Sequence, residues 1–126
     1  MTRKLTRKGA IRKLDSICRE IIHIRDKHKC RKCGVYVNPG EVHHIIPKKR
    51  GYHVRWTLNN LILLCNKHHR PYFHSDPFAM EWFKEADPDA YAIIQELNQH
   101  QTESFKQQDL LDYIETLESE IKAMQC

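Results

Sequence analysis

A chain of 126 residues has room for one compact core plus an extra helix or arm, and two full domains are excluded on size. No apolar run approaches the roughly 20 residues of a bilayer-spanning helix, and no apolar stretch follows the basic start "MTRKLTRKGAIRK" as a secretion signal requires. The expectation is a cytoplasmic, membrane-free protein whose 5 cysteines hold metal or stay reduced.

The net charge of +5 hides a division along the chain. Residues 1–55 carry 16 Lys and Arg against 4 Asp and Glu, whereas residues 56–126 carry 5 against 12. A basic half of this kind suits a polyanionic partner and would supply affinity without sequence choice. Charge alone fits a solvated helix face equally well.

In chain order, residues 1–10 read as a basic flexible arm. From Ile11 to His28 the apolar residues Ile11, Leu14, Ile17, Cys18, Ile21 and Ile22 recur at helical spacing, which predicts an amphipathic helix with one core face. Residues 29–74 are short apolar runs broken by Gly, Pro and Asn, the pattern of small strands and loops that end in a short helix. "HSDPFAMEWF" places Asp76 at an N-cap and Pro77 at the first helical position, and "ADPDAYAIIQEL" repeats the signal at Asp87 and Pro88. Leu110, Ile114, Leu117, Ile121 and Met124 step by four and three along a final helix. Two heptads are short for a coiled coil, so packing on the same chain is the first reading and a homodimer through this helix the second. The organisation is thus an arm over 1–10, a core unit over 11–86 and an acidic helical extension over 87–126.

The chemistry lies in residues 30–74. Cys30 and Cys33 form a C-x2-C knuckle, with Gly34 giving the tight turn, and Cys65 with His68 forms a second pair at the same spacing. Two such pairs predict a closed tetrahedral Zn²⁺ site that serves structure, which a small core needs. In "EVHHIIPKKRG" the adjacent His43 and His44 sit on an apparent strand, so they point to opposite faces and cannot share one role. A helix beginning at Cys65 puts Cys65 and His68 on one side and turns His69 away, toward His43.

C-x2-C, then His-His-Ile-Ile-Pro, then Asn60 in "NNLILLCNKHH" resembles the HNH endonuclease family, with its ββα-metal fold and zinc-knuckle scaffold, over roughly residues 28–74. The wider pattern is similar to small phage and prophage HNH nucleases, including recombination nucleases of the NinG kind. The resemblance implies an α+β fold: a zinc-stapled ββα-metal core flanked by a basic N-terminal helix and acidic C-terminal helices. It implies hydrolysis of DNA to 5′-phosphate and 3′-hydroxyl ends, with Mg²⁺ or Mn²⁺ as the catalytic ion. His43 stands where the family binds that ion, His44 where it has the general base, Asn60 where it braces the loop between the strands, and His69 where it has the second metal ligand. His74 is a further ligand position. His68 stands where the family more often has a fourth zinc cysteine, and the adjacent His69 leaves two histidines for that place; spacing assigns His68. Lys48, Lys49, Arg50 and Arg55 lie in the loop beside the two-histidine strand, where a nucleic-acid backbone would pass. A non-catalytic zinc module binding nucleic acid or a protein partner, such as a phage recombination protein, is the alternative. It accounts for Cys30, Cys33, Cys65 and His68 but gives His43, His44, Asn60 and His69 no work.

Overall fold

The computed structural model describes residues 5–69, 77–99 and 105–125. Helix α1 (Arg7–Arg25) leads into a knuckle, and strand β1 (Glu41–His44) pairs antiparallel with strand β2 (Leu61–Leu64). The connection between the strands contains the short helix α2 (Tyr52–Arg55). Residues 66–69 are helical, and helices α3 (Ala79–Ala86), α4 (Pro88–Gln99) and α5 (Gln107–Gln125) follow. The mixture of helices with one small two-stranded sheet is the fold class expected. Among the described residues no helix is long and apolar enough to cross a membrane.

Helix α1 begins earlier than its apolar periodicity suggests. The Thr6 hydroxyl accepts from the Gly9 N–H at 2.9 Å, an N-cap three residues ahead of its donor, and Ala10 is already buried. Residues 7–10 therefore belong to the helix, which corrects the expected arm over that stretch. The helix also stops at Arg25 rather than His28, because Lys27 and His28 both take the left-handed φ of 56° that ends a helix.

Asp26 fastens that helix end to the sheet. Its carboxylate accepts from Arg25 at 2.8 Å, from Arg31 at 3.3 Å and from the Leu63 N–H at 3.0 Å. Arg25 also donates to the Leu58 and Leu61 carbonyls at 2.8 and 2.6 Å. His23 secures the other strand. Its Nε2 accepts from the Gly40 N–H at 2.9 Å, so Nδ1 holds the proton and donates to the Arg19 carbonyl at 2.7 Å. Glycine at position 40 permits this close approach, since a Cβ would lie 2.6 Å from Val37 Cγ2 and 2.7 Å from Leu63 Cδ1 and would force those side chains to shift.

Strand β2 is buried on both faces, which is why it reads as the unbroken apolar run "LILL", whereas β1 is only half-buried. Leu61 and Leu63 enter one core with Leu14, Ile21 and Ile22 of α1 and Leu110, Ile114 and Leu117 of α5. Ile62 and Leu64 enter a second with Phe83 of α3 and Ala90 and Ile94 of α4. The heptad seam of α5 is thus spent within the chain, as the first reading had it, and Met124 at its end is exposed. Trp56 is part of the first core.

At α4 the Asp87–Pro88 signal holds, with Asp87 Oδ1 accepting from the Ala90 N–H at 3.1 Å. At α3 the helix begins two residues later than expected, at Ala79, and Pro77 stands in the preceding turn. Asp76, its expected cap, lies outside the described residues.

Candidate metal sites and catalytic cleft

The knuckle is a tight reversal closed by hydrogen bonds. Gly34 takes φ 77° and its N–H donates to the Cys30 carbonyl at 2.8 Å, while the Cys30 N–H donates to Val35 at 2.9 Å. An Arg31 N–H bond of 2.8 Å to the Leu63 carbonyl docks this turn on β2, directly ahead of Cys65. The consequence is that Cys30, Cys33, Cys65 and His68 bring their ligand atoms within 4.8 Å of one another. Cys33 and Cys65 sulfurs are 3.8 Å apart, and His68 Nδ1 lies 3.2 Å from Cys65 Sγ and 3.8 Å from Cys30 Sγ. Tetrahedral Zn²⁺ with Zn–S near 2.3 Å and Zn–N near 2.0–2.1 Å implies about 3.8 Å between sulfurs and about 3.5 Å between sulfur and nitrogen. The quartet fits a metal ion of that kind.

His69 is turned to a different place. Its N–H donates to the Cys65 carbonyl at 2.9 Å, so one residue step swings its ring from the sulfurs toward β1. The His43 and His69 ring centroids are 5.2 Å apart, and His69 Nδ1 is 3.2 Å from Glu41 Oε2. Glu41 was not among the residues singled out in the sequence. Strand alternation could have found it, since Glu41 stands two residues before His43 and shares its face. Glu41 Oε2 is buried, and its 3.2 Å approach to His69 Nδ1 is an ion-pair separation without hydrogen-bond geometry. Two imidazoles and a carboxylate thus neighbour one another on this face, while among the described residues only Cys30, Cys33, Cys65 and His68 draw their ligand atoms into one cluster.

His44 occupies the opposite face of β1, opposite Leu61. Its Nε2 lies 3.0 Å from the Arg55 carbonyl. A carbonyl only accepts, so Nε2 bears the proton and Nδ1 keeps its lone pair. Burial first, and then the charge of Lys48, hold the imidazole below its ordinary pKa, against the Arg55 carbonyl, which favours the charged form.

Both faces of β1 meet one cleft of about 580 Å³, lined by Val42 through Ile45 together with Asp15, Arg19, Lys48 and His69. Consecutive strand residues can line a single cleft only if it wraps the strand's unpaired edge. This is how two histidines pointing apart serve one space.

Asn60 lies fully buried between the strands. Its Oδ1 accepts from the Ile46 N–H at 2.7 Å, and Nδ2 donates to the Ile46 and Val54 carbonyls, each at 3.0 Å. The two bonds to Ile46 tie the chain just past β1 to the residue directly ahead of β2, and the third ties that residue to Val54, next to Arg55.

Of the four loop cations, Lys48 and Lys49 are exposed, and Lys48 borders the cleft. Arg50 is engaged by Asn98 of α4 at 3.1 Å, and Arg55 forks onto Asp15 of α1 at 2.7 and 3.0 Å. Asp15 also accepts from Trp56 Nε1 at 2.8 Å. Burial pushes its carboxyl up, but the bonds from Arg55 and Trp56 outweigh that and hold it below the usual range. No local pattern exposes this pairing across 40 positions. His74 lies outside the described residues.

The Cys30, Cys33, Cys65 and His68 cluster, the two-histidine strand, the buried Asn60 and His69 now stand in one ββα unit. Residues 21–72 match the family model for HNH endonuclease. That segment, somewhat under half of the chain, is what is similar to the HNH endonuclease family. The HNH segment contains both candidate metal sites and the His44 face of the cleft, but not Asp15 or Arg19, which the rest of α1 supplies. No curated protein and no solved structure gave a significant match.

Proposed function

We propose that this protein is a metal-dependent HNH endonuclease that hydrolyses DNA phosphodiester bonds. The observation that carries the reading is the single cleft flanked by two unlike groups: His43, His69 and Glu41 on one face of β1, and His44, fixed by the Arg55 carbonyl, on the other.

His43, His69 and Glu41 would hold the catalytic Mg²⁺ or Mn²⁺, which when bound supplies Lewis acidity at the phosphate and the leaving oxygen. His44 Nδ1 takes a proton from the attacking water, and its lowered pKa keeps it neutral and ready to do so. Water oxygen joins phosphorus as the bond to the 3′ oxygen breaks, leaving 5′-phosphate and 3′-hydroxyl ends, as the family resemblance implies. Asn60 orients the base by fixing the β1 end and the Val54 carbonyl next to Arg55. Cys30, Cys33, Cys65 and His68 would hold Zn²⁺ as a staple remote from the reaction. Lys48 and Lys49 offset phosphate charge at the cleft mouth. A phage or mobile-element setting rests on the sequence resemblance.

The test is cleavage of supercoiled plasmid with Mg²⁺ and then Mn²⁺, comparing the intact protein with His44→Ala after both are shown to fold and retain zinc. Nicking lost in the variant upholds the reading. If neither protein cuts while both bind DNA, the non-catalytic zinc module replaces it.

A further inference from the structure

Helix α1 turns a cationic stripe to solvent beside the cleft. Lys8, Arg12 and Arg19 follow spacings of four and seven, which places them on one helix face, and all three are exposed. A second depression on α1, lined by Arg12, Lys13 and Ser16, shares Asp15 and Arg19 with the cleft, so the two are continuous.

The neighbouring carboxylates do not neutralise this stripe. Asp15 is taken by Arg55 and Trp56, Glu118 of α5 lies 3.8 Å from Lys13, and Glu20 projects about 80° around the helix from Arg12. Among the described residues no acid lies within ion-pair distance of Lys8, Arg12 or Arg19. In the strand connection, by contrast, Arg50 and Arg55 are held by protein groups.

We propose that this stripe is a phosphate track, along which the sugar-phosphate backbone of a nucleic acid lies on α1 and runs into the cleft. The partner is a polyanion read without sequence, because three cations on a rigid helix match a repeating charge and present nothing to a base edge. From Lys8 to Arg19 the helix rises about 16 Å, the axial length of about five base pairs. The track rests on the nuclease reading only for what happens to the strand on reaching the cleft.

The test is titration of a short fluorescent DNA duplex by anisotropy over a range of salt, without added divalent ion. For R12Q/R19Q the slope of log K against log salt flattens by about 0.9 for each phosphate no longer neutralised, about 1.8 in all. The control K106Q/K122Q removes the same formal charge from exposed positions near and on α5 and keeps the original slope, as does R12K/R19K, which retains both charges. An unchanged slope in R12Q/R19Q, or equal flattening in either control, overturns the track. Flattening as expected in a protein that cuts no DNA upholds the track and sinks the nuclease; cutting with an unchanged slope does the reverse.

Discussion

His44 is bonded to the backbone of the residue whose side chain ties the cleft to α1: its Nε2 meets the Arg55 carbonyl at 3.0 Å, and the Arg55 guanidinium meets Asp15. The proposed general base is therefore held by backbone, and its holder is held by a bidentate ion pair.

His44→Ala is expected to lower strand cutting by about 10²–10⁴-fold, the usual worth of a positioned base, while DNA affinity and bound zinc stay unchanged. Plasmid nicking rates under saturating enzyme give the comparison. A loss of less than about threefold would remove His44 from the base role.

Asp15→Asn should slow cutting by about tenfold, a barrier change of about 1.4 kcal/mol, through a looser Arg55. A second readout is stability against pH. Because the Asp15 carboxyl is held below its usual range, its contribution is fully present above the unfolded value of about 3.9 and is lost as pH falls through the lower folded value. Urea unfolding near neutrality and in acid should show this acid limb shallower in the variant; an identical limb in both proteins would contradict the assignment.

For Asn60→Ala the expected loss is about 3 kcal/mol or more, since the Ile46 N–H and the Ile46 and Val54 carbonyls are left without their partner. Asn60→Asp should be no better, because a carboxylate oxygen then faces two carbonyls. Thermal unfolding decides, and a variant within about half a kcal/mol of the parent would mean the asparagine braces nothing.

Metal analysis after dialysis should find one tightly held zinc per chain, with a second, weaker site filled at millimolar Mg²⁺ or Mn²⁺. Cys33→Ser lowers the first without altering the residues of the second, and weakens the fold. Equal loss of both metals on a gentle wash would remove the distinction between staple and catalytic ion.

Much of the site was legible because its spacing is local. Two x2 ligand pairs, two adjacent histidines on a strand and a helical step from His68 to His69 each fix direction from backbone geometry alone. What escaped depends on tertiary placement. Asp15 meets Arg55 across 40 positions, and only folding brings α1 over the strand connection. Glu41 was legible by alternation but overshadowed by the histidines beside it. The start of α1 was missed because Thr6 caps a turn whose residues, Arg7 and Lys8, carry no apolar signal. The acidic C-terminal extension carries charge that could screen the basic half of the chain, yet Leu110, Ile114 and Leu117 fill the core against α1. Truncation there would expose that core, with losses of about 2–5 kcal/mol for each large side chain, so charge-neutralising changes on the outer face of α5 are the sound way to probe shielding.

The burial of Cys18 gives the molecule an internal clock. It is 3% exposed, and burial pushes its thiol up to about 12, so at neutral pH almost none is thiolate, the form that alkylating reagents require. Cys33 and Cys65 are within reach of solvent and, if the quartet holds zinc as proposed, become reactive once a chelator strips it. Cys18 must wait for the whole core to open. Peptide-resolved alkylation over time would thus separate loss of the proposed zinc staple from global unfolding in one sample, and the interval between the two signals would measure how long the cleft outlives that ion.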